Sequence, residues 1–223
     1  MKKFVIGAVA GAITCLAQTA SAATVTHTDN VAMEQTGWAY TLSVPQFDTA
    51  LGTLNSVMVT LVGYVEGSAR SENIGSKTVD VTLNLEAEIT AATTVLGIIA
   101  QTLPVVATTH TLSAYDGTLD WLGTSGVNTG LENASETDVA TLTGGDMAEF
   151  VGAGLVGMDI VASGFSFSRG SGNMVTQFET AAKADLTVVY DYTPASVIPL
   201  PASAPLLLGG LFLLGRARRR KAA

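Results

Sequence analysis

Few residues in this chain are of types suited to chemistry, and their spacing keeps most of them apart. The two histidines, His27 and His110, lie far apart, and neither sits in an H-E-x-x-H or comparable ligand spacing. Lone histidines on β-rich segments are expected to be structural or solvent-facing. No G-x-S-x-G occurs, and G-T-S-G at Gly123 to Gly126 reads as a turn, not a nucleophile elbow. The best carboxylate pair is Glu86 and Glu88, which share the outward face of one strand with Cα atoms about 6.5 to 7 Å apart. A glycosidase pair sets its carboxyls ~5 to 9.5 Å apart. Alternating acids are also the ordinary polar face of a sheet, and that is the expectation here. Trp121, beside Asp116 and Asp120 in the Asp116–Thr137 loop region, is the one candidate for stacking on a sugar ring; the alternative is plain loop anchoring. No D-x-[DN]-x-[DN]-G run offers a calcium loop. The residues therefore predict no catalytic, cofactor-binding or metal-binding site, and no cofactor.

The elements that would carry these residues have a period of two. From Thr78 to Thr90, Val79, Val81, Leu83, Leu85, Ala87 and Ile89 alternate with polar residues, which predicts a half-buried antiparallel strand. Trp38, Tyr40, Leu42 and Val44 alternate in the same way toward a core, entered at Gly37 and stopped at Pro45. Val57, Val59 and Leu61 run on toward Tyr64, and Leu186, Val188, Tyr190 and Tyr192 form a last strand closed by Pro194. Shorter runs at Val105–Leu112, Val139–Leu142, Leu155–Ser168 and Met174–Thr180 fill the rest between Gly, Asn, Asp and Ser punctuation. One helical turn is expected, Asp146 to Val151, with Asp146 as its cap. Eight or more short strands without intervening helices predict an all-β fold over residues 23–194. Its expected form is an antiparallel β-sandwich of jelly-roll or Greek-key type.

Both ends of the chain read as signals. Residues 1–22 have the parts of a secretory signal peptide: Lys2 and Lys3, an apolar run from Phe4 to Leu16, and Ala20-Ser21-Ala22 before the cut. Cys15 lies within that run without a lipoprotein pattern, so the mature chain is expected to hold no cysteine and no disulfide. Roughly 170 residues remain between the signals, enough to bury about 70% of their unfolded surface in one core. Residues 195–223 read as a hinge, a short apolar segment at about 202–215 and a basic stop. Leu206, Leu207, Leu208, Leu211, Phe212, Leu213 and Leu214 supply about −2 to −4 kcal/mol of insertion energy, which makes a single transmembrane helix marginal. Arg216, Arg218, Arg219, Arg220 and Lys221 would stay cytoplasmic and leave the body outside. Seven of the eleven basic residues sit in the two signals. The body keeps four against nineteen acids, a charge of −15, which excludes nucleic acid as a partner.

Hinge, apolar segment and arginine cluster, in that order, resemble the PEP-CTERM class of sorting signals. Ile198, Pro199, Leu200, Pro201 and Ala202 look like the VPLPA-CTERM variant, with Ile198 where the name has valine. The resemblance implies an exosortase-type membrane peptidase as partner, transient residence in the inner membrane, and delivery to the cell surface or medium. A permanent tail anchor is the alternative. The body in turn resembles the choice-of-anchor E domain, through F-D-T-A-L-G-T-L at Phe47 to Leu54, F-V-G-A-G at Phe150 to Gly154, Gly172-Asn173, and D-L-T-V-V-Y-D-Y-T-P at Asp185 to Pro194. That family brings no catalytic residue. The functional expectation is a non-enzymatic surface or extracellular-matrix protein; the alternative is a carbohydrate-binding domain acting on exopolysaccharide.

Overall fold

The computed structural model describes residues 22–195. The signal peptide apart from Ala22, the motif Ile198–Ala202, the apolar segment at about 202–215 and the Arg216–Lys221 cluster lie outside the described residues. Among the described residues no helix is long and apolar enough to cross a membrane.

The body is all-β. Its strands are β1 (Ala23–Gln35), β2 (Trp38–Pro45), β3 (Gly52–Asn73), β4 (Val79–Thr93), β5 (Gly97–Thr102), β6 (Val105–Leu112), β7 (Gly126–Asn128), β8 (Glu132–Leu142), β9 (Leu155–Gly164), β10 (Phe167–Gly170) and β11 (Met174–Pro194). One sheet runs β1-β11-β3, with β7 and β8 in succession along the far edge of β3. The other is built on β4. On one side β4 pairs with β10 and then β9, with β2 outermost; on the other it pairs with β6 and then β5. All these ladders are antiparallel. Each interrupted pair is one column broken by a single local event. Pro104 has no N–H to give between β5 and β6, and its carbonyl takes the Ala87 amide instead. Between β9 and β10, Ser166 Oγ accepts from the Glu86 amide. Between β7 and β8, Thr129 Oγ1 accepts from the Ala69 amide. The backbone of the central strands thus stays satisfied across all three breaks.

The inner faces of the two sheets meet in one main core. Val57, Val59 and Leu61 of β3 and Leu186, Val188 and Tyr190 of β11 pack toward Leu85, Ala87 and Ile89 of β4 and Met158 and Ile160 of β9. The alternation seen from Val79 to Ile89 holds throughout β4. Other expectations are corrected. The strands are not uniformly short: β3 has 22 residues and β11 has 21. Gly63 and Gly67 lie inside β3, and glycine is needed there because a side chain would collide with Thr102 and with the Glu179 carbonyl. Strands β1, β5 and β7 had no clear signal, and β8 begins at Glu132, inside the region expected to be loop. Its residues are mostly polar on both faces, so periodicity could not mark it. Tyr40 does not join the core. It is 44% exposed at the outer strand β2, where its hydroxyl donates to Glu34 Oε2 at 2.9 Å, while Trp38 is buried. The helical turn is a 3₁₀ segment, Gly144–Phe150, with Thr143 rather than Asp146 at its N-cap, and a second one forms at Thr49–Leu51 under an Asp48 cap.

Tyr190 is fully buried, and its hydroxyl donates to the Pro45 carbonyl at 2.7 Å. Burial pushes its pKa up to about 12. A tyrosine raised in the folded state is deprotonated first in the unfolded chain, so its contribution to stability is complete below about pH 10 and is lost as pH rises toward 12. Alkaline melting curves should therefore fall across that window, and Tyr190→Phe should flatten the fall. Loss of its hydrogen bond should cost about 1 kcal/mol at neutral pH.

Candidate functional site

The strand directions give the sandwich two distinct ends. Ala23 pairs with Tyr192 and Gly52 with Pro194, so the chain enters and leaves the described body at one end, the tail end. Strand β3 then runs its whole length, about 70 Å of extended chain, to the opposite end. There three connections gather: residues 74–78, 113–125 and 171–173.

At that far end the sheet pattern changes. Ser71, Glu72 and Asn73 are all buried in succession, which alternation does not produce. Ser71 and Asn73 follow Ala69 on the inner face, whereas Glu72 points outward and is covered by the 113–125 connection as it crosses from β6 to β7. Glu72 Oε1 accepts from Ser125 Oγ at 2.6 Å, and Oε2 accepts from the Trp121 amide at 2.8 Å. Gly126 pairs with Glu72 in the ladder. A Cβ at Gly126 would stand 2.5 Å from both Glu72 Oε2 and the Leu122 amide nitrogen, so glycine is required for this closure. Asn73 ties the other connections together. Its Nδ2 donates to the Lys77 and Ser113 carbonyls at 2.7 and 2.6 Å, and its Oδ1 accepts from the Gly75 amide at 2.9 Å. The Ile74 amide donates to the Asn173 carbonyl.

Trp121 is held by this arrangement. Its φ of 61° makes it the only non-glycine residue with positive φ among the described residues. That conformation costs about 1–3 kcal/mol and persists only where its surroundings enforce it; here the Glu72 carboxyl does so. The indole is half-buried, while Tyr115, Leu119 and Leu122 of the same loop are exposed. Asp116 and Asp120 accept from the Thr118 and Leu122 amides, each at 3.0 Å, shaping the loop's own turns. The loop thus presents an apolar tip on a buried polar footing, at the end remote from the tail.

The other sequence candidates stay separate. His27 lies on β1 with its ring edge-on to Tyr190 at 5.7 Å, and His110 lies on β6 in the opposite sheet with Nε2 buried and unbonded. Glu86 and Glu88 share the outward face of β4, and Glu88 Oε1 accepts from Gln101 Nε2 at 2.6 Å. Among the described residues no three His, Cys, Asp or Glu side chains are grouped to hold a metal. Sequence reasoning missed Glu72, Asn73 and Ser125; the signal available was polar residues at the inward positions 71 and 73, directly after Ala69.

The tail end is aromatic. Phe47 lies 5.9 Å from Tyr190 and 5.2 Å from Tyr192, centroid to centroid, and Phe150 lies 6.4 Å from Tyr190. The Phe47 amide donates to the Phe150 carbonyl at 2.7 Å, and the Phe47 carbonyl accepts from the Gly152 amide at 3.1 Å. Three stretches far apart in sequence, 47–54, 150–154 and 185–194, therefore meet where the chain leaves toward its C-terminus.

No family model matches this chain, and no curated protein matches it. Several solved structures are similar to it at low level. The structure of infectious bursal disease virus Gx strain is 14% identical with a TM-score of 0.19, covering 91% of this chain and 50% of that one. The structure of infectious bursal virus derived T=1 particles is also 14% identical with a TM-score of 0.19, covering 88% and 48%. The chain spans about half the length of these solved chains.

Proposed function

We propose that this is an exported, non-enzymatic protein of the cell surface or extracellular matrix, held briefly in the inner membrane by its C-terminal segment and released by an exosortase-type peptidase. The observation that carries the reading is the pairing of Ala23 with Tyr192. Both junctions with the predicted signals lie at one end of a body that fills its own core, so that end can be tethered while the 113–125 loop is carried away from it. The fold is of jelly-roll type. Counting broken strands as one column, the chain alternates between the sheets except from β4 to β5–β6, which are neighbours, and strand order β1-β11-β3-β8 facing β2-β9-β4-β5 supports that form. Mass spectrometry of the protein recovered from its own cells should find a C-terminus near Pro199 to Ala202, with Leu206–Leu214 and the arginines gone. A mature chain that keeps Arg216–Lys221 in cells possessing the peptidase makes the segment a permanent anchor instead.

A second reading, carbohydrate binding, is favoured by the strained Trp121 beside exposed Tyr115 on a loop facing away from the tail. Stacking a sugar on an aromatic loses less ordering entropy when the ring's backbone is fixed beforehand, and Glu72 supplies that fixing.

A further inference from the structure

We infer that the body carries a seat for its own hinge: the apolar groove at the tail end receives the segment Val197–Leu200. The groove encloses about 350 Å³ and is lined by Phe47, Gly52, Leu54, Met147, Ala148 and Val151, among others. None of its lining residues is charged. The chain is delivered to its rim. Pro194 pairs with Gly52, the Ala195 amide donates to the Leu51 carbonyl at 3.0 Å, and a Cβ on Gly52 would lie 2.9 Å from the Ala195 nitrogen. From Ala195, two to five residues can span up to about 7 to 17 Å, so Val197, Ile198 and Leu200 are the first apolar residues beyond the rim that can reach the groove.

The match is one of chemistry as well as reach. Residues 196–202 read S-V-I-P-L-P-A and carry no charge, like the groove. A proline fixes its own φ and narrows the choices of the residue before it, so a segment carrying Pro199 and Pro201 has little conformational freedom to lose on seating. The groove is also a product of folding, since its walls come from 47–54 and 144–151, stretches about a hundred residues apart. An unfolded body has no seat, and the hinge is then free. Seating requires only covalent continuity beyond Ala195, so it stands or falls independently of whether a peptidase later cuts the segment.

The test uses the full chain with Cys15→Ser, expressed in cells lacking a sorting peptidase and purified in detergent, because the remainder of the sequence has no cysteine. Ala148→Cys with Ile198→Cys places one thiol in the groove and one in the hinge; Leu155→Cys with Ile198→Cys is the control at an exposed site of the same end outside the groove. Intramolecular disulfide formation should be at least about tenfold faster in the first pair, reflecting a raised effective concentration. Ala148→Glu, at an exposed groove position, should leave the melting temperature unchanged and speed elastase cutting at Val197–Leu200 by about tenfold. Equal cross-linking rates for the two pairs, or unchanged cutting, overturn the inference. Disulfides formed only between chains overturn it too and assign the groove to a second copy.

Discussion

Phe47→Ala is expected to cost about 3–5 kcal/mol, the range for deleting a buried aromatic side chain. Phe47 is 2% exposed and touches both Tyr190 and Tyr192, and its backbone bridges the chain to Phe150 and Gly152. Alanine keeps the backbone bonds but leaves a void under the tail-end aromatics, and neighbouring strands locked in long ladders can collapse only partly into it. Domains of this size lose about 2–4 °C per kcal/mol, so the melting temperature should fall by about 6 to 20 °C. Phe47→Leu should recover more than half of that, because much of the volume is restored. Leu155→Ala, at an exposed site of the same end, should change stability by no more than about 0.5 kcal/mol. Equal losses for Phe47→Ala and Leu155→Ala would show that the aromatic cluster does not hold this end together.

Glu72→Leu should be nearly as damaging, by a different route. The side chain is fully buried and accepts from Ser125 Oγ and the Trp121 amide. Leucine fills the space but leaves both donors without a partner, at about 1–3 kcal/mol each where water cannot reach them. Trp121 would then have no reason to hold its positive φ, and the 113–125 loop should relax. The readout is local as well as global: Trp121 fluorescence should shift to longer wavelength while Trp38, buried in the core, stays unchanged. Glu72→Gln keeps an acceptor for one donor and should cost about 1 kcal/mol. If the loop is a sugar platform, Trp121→Ala and Glu72→Leu should both abolish affinity for polysaccharide from the same cells. A measurable affinity lost in both variants would sink the inert-matrix reading, whereas no affinity in the unaltered protein would remove the second one.

The sequence by itself determined the kind of structure. A period of two over Val79–Ile89 and Leu186–Tyr192 can bury one face only as a sheet, and without helices between such runs the sheets must bury each other. It also determined that the body is acidic and contains no cysteine, facts of composition that no fold can change. What it could not determine is anything that depends on which distant segment arrives. Glu72 looks like an ordinary outward acid on β3 until the 113–125 loop closes over it and Gly126 lets the backbone approach. Tyr40 has the alternation of a core residue, but β2 lies at the edge of its sheet, so the ring meets water and Glu34. The polar strand β8 is a strand because β3 supplies its ladder, not because its residues prefer one. The placement of both described ends together, and the groove beside Pro194, follow from antiparallel pairings between residues more than a hundred positions apart. Periodicity reports how each segment meets an environment; only the tertiary structure says which environment that is.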